Sequence, residues 1–363
     1  AERMSDALRP DSELAAASGL RDPLEADHQD ELVTWHGRFA ETAHQRQPLS
    51  ALFEQLQGLY PTDLLPSPQL LEFQDLLWLK GSGGLFDGHS GRVVQASCVS
   101  RFLRQRQLPF LRRHRIELSQ PLGRFPRLEQ VVWLPTAGAS LFGELFSEVL
   151  GFLWPFLLEP TEALLGWPVL LPGCDPQDAY SAVLHQLLRE QHTFPLLEQH
   201  LPEALHLERV LIPEPGFRLH AACTPVFLQA AAALADRLSQ GAVAEPIERL
   251  YLARSDDDPL APALAENGWA VLELLAEPLP VQVAAIRAAE TIAGFGGEAL
   301  HALAWLGERQ LDQGPQLLLL GTRPSLDLLL QFRAQGLNGW YLPCADDAGV
   351  ELIDALNACI RER

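Results

Sequence analysis

Two short segments carry residue types that could handle an anionic ligand. The first is Thr291-Ile-Ala-Gly-Phe-Gly-Gly-Glu-Ala-Leu300. An apolar run enters three glycines, Gly294, Gly296 and Gly297, and leaves toward a helical pattern that opens on Glu298. Glycines let a backbone approach a ligand closely, and the free N–H groups of a helix start favour a phosphate. Phe295 and Glu298 complete the loop, and a loop with nothing bound fits the same pattern. The second segment is Arg254-Ser255-Asp256, directly after the apolar run Arg249–Ala253. An arginine there projects from the carboxyl end of a strand, where a guanidinium forks onto phosphate. Three consecutive acids, Asp256, Asp257 and Asp258, allow two further readings: hard ligands for a divalent ion, or the N-terminal cap of the next helix.

These segments lie in a regular alternation. Strands are predicted at Arg249–Ala253, Trp269–Glu273, Thr291–Ala293, Gln316–Leu320 and Trp340–Leu342. Helices are predicted at Leu260–Asn267, Leu279–Ala289, Glu298–Leu306, Ser325–Gln335 and Gly349–Arg361. Strands alternating with helices at this spacing predict a parallel sheet covered on both faces, with ligands at the strands' carboxyl ends. Upstream, Leu70–Val94 reads as short strands around the turn GSGGLFDGHSG. Gln130–Leu134, Pro168–Leu171 and Arg209–Ile212 read as strands, Leu141–Leu153 as an apolar helix, Asp178–Gln191 and Pro225–Leu238 as helices. His28–Gly58 has helical spacing.

Composition narrows the classes. The formal net charge is −20, which repels nucleic acid and anionic lipid, so no nucleic-acid partner is expected. Lys80 is the only lysine, and eight arginines fall between Arg101 and Arg127, either a solvated face or an anion patch. The 363 residues are enough for two cores. The apolar stretch Leu141–Leu171 holds Glu144, Glu148, Glu159 and Glu162, so no transmembrane segment is expected. Five scattered cysteines without a CxxC read as free thiols, and the polar start shows no signal peptide; the cytoplasm is the expected compartment. No histidine spacing builds a metal site: His185, His192 and His200 are poorly spaced, and there is no HExxH.

The chain resembles glycosyltransferase family 61 over roughly residues 70 to 345. The resemblance rests on YLARSD at 251–256, on WAVLEL, and on the helix-to-loop run from Gln282 through Ile292, Gly294, Gly296, Gly297 and Leu300. It also rests on LFGELFSEVLGFLWPFLLE at 141–159, where Glu148, Leu150 and Trp154 fit, and on the segment 207–238. Gly296 stands where the family has a histidine, Glu298 where it has an alanine, and Glu144 where the upstream helix has a histidine. The resemblance implies an α/β chain of two Rossmann-like domains in a GT-B-type arrangement. Its parts are a helical N-terminal extension at 1–58, an acceptor-side domain at 59–243, a nucleotide-sugar-binding domain at 244–345, and a final helix at 346–363 packing back across the hinge. It implies metal-independent transfer from a nucleotide-sugar donor to a glycan or protein acceptor, with no cofactor. Arg254, Ser255 and Gly294–Glu298 would hold the donor, and Glu144 and Glu298 would be the catalytic carboxylates. Two alternatives stand beside it: a binding or scaffold protein that kept the fold without the chemistry, and a metal-dependent transferase using Asp256–Asp258.

Overall fold

The structure, a computed structural model, describes residues 46–57, 67–98, 116–118, 120–136, 145–158, 164–218, 222–240, 245–254, 258–308, 314–345 and 350–361. The described residues form two compact units, one from Pro68–Pro215 and one from Gly216 onward together with the segment 46–57. Both are α/β.

The second unit begins with a two-residue strand, β1 (Gln47–Pro48), and helix α1 (Leu49–Gln57). In the first unit the strands are β2 (Leu70–Leu79), β3 (Leu85–Asp87), β4 (Arg127–Leu128), β5 (Val131–Trp133), β6 (Pro168–Leu170), β7 (Phe194–Leu196) and β8 (Ala204–Pro213). Its helices are α2 (Trp154–Leu157) and α3 (Ala179–Glu190). The sheet runs β3-β2-β8-β5-β6-β7. Strands β8, β5, β6 and β7 are parallel, whereas β2 and β3 form an antiparallel hairpin on one edge. This is a mixed sheet. The expected apolar helix at Leu141–Leu153 takes another form: Leu145–Val149 is a π turn and Leu150–Phe152 a 3₁₀ turn before α2, whose Pro155 sits in its first turn.

In the second unit, β9 (Phe217–Arg218) and β10 (Ala222–Cys223) pair as a small ribbon before α4 (Pro225–Leu238). Thr224 caps α4, accepting from Phe227 N, and Pro225 occupies a first-turn position where no donor is needed. Then follow β11 (Ile247–Ala253), α5 (Leu260–Glu266), β12 (Ala270–Glu273), α6 (Leu279–Ala288), β13 (Ala289–Phe295), a 3₁₀ helix (Glu298–Leu306), β14 (Gln316–Gly321), α7 (Leu326–Gln335), β15 (Asn338–Pro343) and α8 (Val350–Arg361). The sheet order is β1-β15-β14-β13-β11-β12, and all pairs from β11 to β15 are parallel. In chain order these five strands lie 2-1-3-4-5, a doubly wound order that reverses between β11 and β13. Central β14 is an apolar run buried from Leu317 to Gly321, as a strand covered on both faces requires.

One face of this sheet is covered by α5 and α8: Leu260, Leu264, Leu352, Ile353, Leu356 and Cys359 pack with Tyr251, Ala293 and Leu318. The other face carries α4, α6, the 3₁₀ helix and α7, which pack on one another. Three expectations change here. The final helix lies on the sheet of its own unit, because its apolar stripe is buried there. Pro225–Leu238 belongs to the second unit, because Phe227, Leu228 and Ala231 are buried among its helices; the division falls after Pro215 and not after residue 243. Residues 47–57 are part of that unit too, since β1 pairs with β15 and Leu49, Leu52 and Leu56 are buried.

Glu298–Leu306 is helical as expected but in the 3₁₀ form, long for that type. The reason lies on α6 and α7. Gln335 donates to Leu303 O (2.6 Å) and Gly307 O (3.2 Å), Gln331 to His301 O (3.4 Å), and Arg287 Nε to Trp305 O (3.1 Å). Side chains thus take carbonyls that an α-helix would reserve for its own amides. All five cysteines are thiols; four are buried and Cys344 is half-buried.

Candidate functional site

The strand order reverses between β11 and β13, the place in an open α/β sheet where ligands bind at the strands' carboxyl ends. Leu252 lies opposite Gly294 in the parallel register, so Arg254 and the loop Phe295–Glu298 emerge side by side on one edge. Arg254 is positioned from two directions. Its guanidinium carbon stacks over the Phe295 ring, 4.0 Å from the centroid. Its Nε lies 3.5 Å from Asp258 Oδ2, the same oxygen that accepts from Arg254 N at 3.1 Å and from the Tyr251 hydroxyl at 2.9 Å. Asp258 Oδ1 accepts from Leu260 N at the start of α5. The carboxylate is fully buried and committed on both oxygens, so Asp258 serves as cap and anchor, the capping alternative read from the sequence. Burial first, then the charge of Asp258, push the Tyr251 hydroxyl far above its ordinary range, so Tyr251 stays a neutral donor. Asp256, Asp257 and Ser255 lie outside the described residues.

The three glycines divide by role. None has a positive φ, so the backbone path does not itself demand glycine. At Gly294 a Cβ would meet Leu300 Cδ2 at 2.9 Å; this glycine lets the 3₁₀ helix lie on the strand and does not face a ligand. Gly296 N donates to Leu320 O (2.8 Å), extending the ladder to β14. A Cβ at Gly297 would meet only Phe295 O, at 3.9 Å, and the residue is extended, with φ −164°. Among the described residues, the amides of Gly297, Glu298 and Ala299 donate to no protein group. They are the free donors of the helix start. Glu298 is exposed beside them, and Phe295 is buried beneath Arg254.

A residue that the sequence reading passed over stands on the other flank. Arg323 follows β14, the strand on the far side of β13, and is exposed. Its carbonyl would lie 3.6 Å from a Cβ at Gly296, which places its backbone against the glycine loop. The signal was available: RLYLA-R and QLLLLG-TR are both strands followed within two residues by an arginine. The loop is held by Tyr341, whose hydroxyl donates to Gly321 O at 2.7 Å, and by Cys344 N on the same carbonyl. The edge therefore presents amide donors between two guanidinium-bearing turns, an arrangement suited to an anion with several oxygens.

Gln282, on which the motif of the helix before the loop opens, is fully buried. Its Nε2 donates to Leu274 O (2.6 Å) and Glu277 O (2.8 Å), tying down the turn after β12. Glu144 lies outside the described residues, as does the arginine run from 101 to 115; Arg127 pairs with Glu208 at 3.2 Å. Among the described residues no group of three or more His, Cys, Asp or Glu could hold a metal ion. Also among them, no helix is long and apolar enough to cross a membrane.

Comparison with known proteins returns no matching family model and no matching curated protein.

Proposed function

We propose that the second unit binds the diphosphate of a nucleotide-sugar and that the chain is a metal-independent glycosyltransferase of GT-B type, divergent from family 61. One observation supports this reading above the others. The switch point of a doubly wound sheet brings Arg254, the free amides of Gly297–Ala299 and the Arg323 turn to one edge. Ligands of open α/β sheets bind at such points. In transfer, an acceptor hydroxyl oxygen bonds to the anomeric carbon while the bond from that carbon to the diphosphate breaks. The hydroxyl proton goes to a carboxylate, for which Glu144 and Glu298 are the candidates. The leaving diphosphate collects negative charge, and donors fixed in place before the reaction stabilise it. The acceptor in this reading is a glycan or protein hydroxyl.

A second reading, a nucleotide-binding protein without transfer chemistry, is favoured by Gly296. A glycine stands where the family has a histidine, and its backbone is spent on the sheet ladder. The test has two stages. Calorimetry with UDP, GDP, CDP and dTDP, in chelator, reads binding; release of sugar from the matching donor reads chemistry. Binding with turnover supports the enzyme, binding without turnover the second reading, and no binding of any nucleotide removes both.

A further inference from the structure

The first unit holds a buried imidazole that the reading above does not use. His185 lies on α3 and is 2% exposed. Its Nε2 is 3.1 Å from the carbonyl oxygen of Cys174, in the turn between β6 and α3. A carbonyl only accepts, so Nε2 carries the proton, and in the neutral ring Nδ1 is left as a bare acceptor. Nδ1 is buried and has no hydrogen-bond partner among the described residues. The helix does not supply one. Ser181, one turn earlier on the same face, is fully buried, and its hydroxyl has no partner either. Nearly all buried polar groups of folded proteins are bonded, so an orphan of this kind calls for a partner from outside the chain.

The surroundings of the ring are fixed. Asp175 closes the turn: its Oδ1 accepts from Gln177 N at 2.9 Å and its carbonyl from Asp178 N at 3.0 Å. The turn follows the carboxyl end of β6, a parallel strand between β5 and β7, which is the sheet edge where α/β proteins bind ligands. His185 also forms part of the wall of an open depression of about 560 Å³, lined with Pro176, Ala182, Gln186, Arg189 and Glu190. That volume is within the usual range of small-molecule sites. Arg189 stands one turn beyond His185 and is exposed, and its guanidinium has no ion pair or hydrogen bond among the described residues. Glu190 is exposed beside it and accepts from Gln186 Nε2 at 2.8 Å. One helix thus brings an unpaired cation, a tethered carboxylate and a buried acceptor to one depression.

We infer that this depression binds a small amino carboxylate, a free α-amino acid. Each charged group of the ligand answers a group of the site. The ligand carboxylate forks onto Arg189. The ammonium donates to His185 Nδ1 and to the Glu190 carboxylate. The ligand side chain lies along Pro176 and Ala182. Other classes leave a group unanswered. Sulfate brings only acceptors to an acceptor, and phosphate meets Glu190 with like charge. A simple amine leaves Arg189 unpaired, and a sugar supplies no charge for it. A hydroxy acid donates to Nδ1 but does not pair with Glu190. The inference is independent of the nucleotide site and of transfer chemistry.

Calorimetry on the full chain tests it, with glycine, L-alanine, L-leucine, L-glutamate and L-arginine as probes. Imidazole ¹⁵N spectroscopy in mildly alkaline buffer reads the contact, with the His185 signals assigned by their absence from His185→Gln. At least one amino acid should bind saturably and move Nδ1 from the range of a bare nitrogen toward that of a hydrogen-bonded one. Acetate and lactate, which lack the ammonium, and ethanolamine, which lacks the carboxylate, should each bind about tenfold or more weaker. Arg189→Gln should weaken binding by about tenfold or more, the scale of a lost bond to a charged group. Arg189→Lys, which keeps the charge without the fork, should restore part of it. The urea midpoint of both variants should equal that of wild type, as expected of an exposed, unpaired side chain. Absence of saturable binding by every amino acid, an Nδ1 signal that stays in place on saturation, or undiminished binding in a stably folded Arg189→Gln protein overturns the inference. Lactate or inorganic phosphate binding as tightly as the amino acids overturns it too.

Discussion

The guanidinium of Arg254 lies over the ring of Phe295, 4.0 Å from its centroid, and so joins the carboxyl ends of two adjacent parallel strands. Such a contact is worth about 0.5–2 kcal/mol depending on burial. Its greater consequence is orientation, because Asp258 also holds the same side chain.

Asp258 should therefore matter for folding as well as for the site. Its removal leaves the buried Tyr251 hydroxyl and the start of α5 without their acceptor. Asp258→Ala should cost roughly 2–4 kcal/mol, a lost cap plus an unsatisfied buried donor. Tyr251→Phe should cost about 1 kcal/mol, since Asp258 keeps its bonds to Arg254 N and Leu260 N. Urea midpoints measure both; an Asp258→Ala midpoint equal to wild type would contradict the anchor role.

The glycine loop gives a contrast within four residues. Gly297→Val should leave the folded state intact, since a Cβ there meets only Phe295 O at an ordinary 3.9 Å, and it should weaken nucleotide binding by crowding the free amides. Gly294→Val should instead destabilise the protein by about 1–3 kcal/mol, the usual cost of overpacking, by pushing Leu300 off the strand. Thermal unfolding and calorimetry on the two variants separate the effects. The reverse pattern would mean that the loop faces inward.

Asp87 supplies a pH prediction. Hydrogen bonds from Ser90, side chain and backbone, hold its carboxyl below the usual 3.8. A depressed folded value means that the unfolded chain binds the proton more readily. The contribution to stability is then fully present above 3.8 and is lost as pH falls through the folded value. Carboxyl ¹³C titration should place Asp87 below 3.8, and Ser90→Ala should move it back upward. A midpoint at or above the ordinary value would remove the turn from the account.

The five strands and their helices between Arg249 and Arg361 were legible because each is a local pattern: apolar runs of four to seven residues, then amphipathic helices ended by Gly268 or Gly336. What was not legible depends on distant partners. The 3₁₀ form of Glu298–Leu306 is imposed by Gln331 and Gln335, about thirty residues on. The membership of residues 47–57 in the second unit is fixed by pairing with β15, at Trp340 and Tyr341. Asp75 meets His206 across 131 positions, and no local spacing announces it. The Arg254 site was visible as a strand end. Arg323 was not legible because the strand order that places it beside the glycine loop is not written in any one segment.

The strongest test of the nucleotide site uses that strand order. Arg254 follows β11 and Arg323 follows β14, with β13 and its free amides between them. A diphosphate over the central strand can reach both turns, whereas a monophosphate can satisfy only one side. Arg254→Ala and Arg323→Ala should each weaken nucleoside diphosphate binding by about 1.5–3 kcal/mol, the value of a hydrogen bond to a charged group. For the matching nucleoside monophosphate, only one of the two should matter. Arg254→Ala also removes the stack on Phe295 and the contact with Asp258, so it should lower the urea midpoint as well. Arg323 is exposed, so its removal should leave that midpoint unchanged. Arg323→Ala is for that reason the cleaner probe. Undiminished diphosphate binding in a stably folded Arg323→Ala protein would show that the ligand does not span β13, and the two-sided site would have to be abandoned.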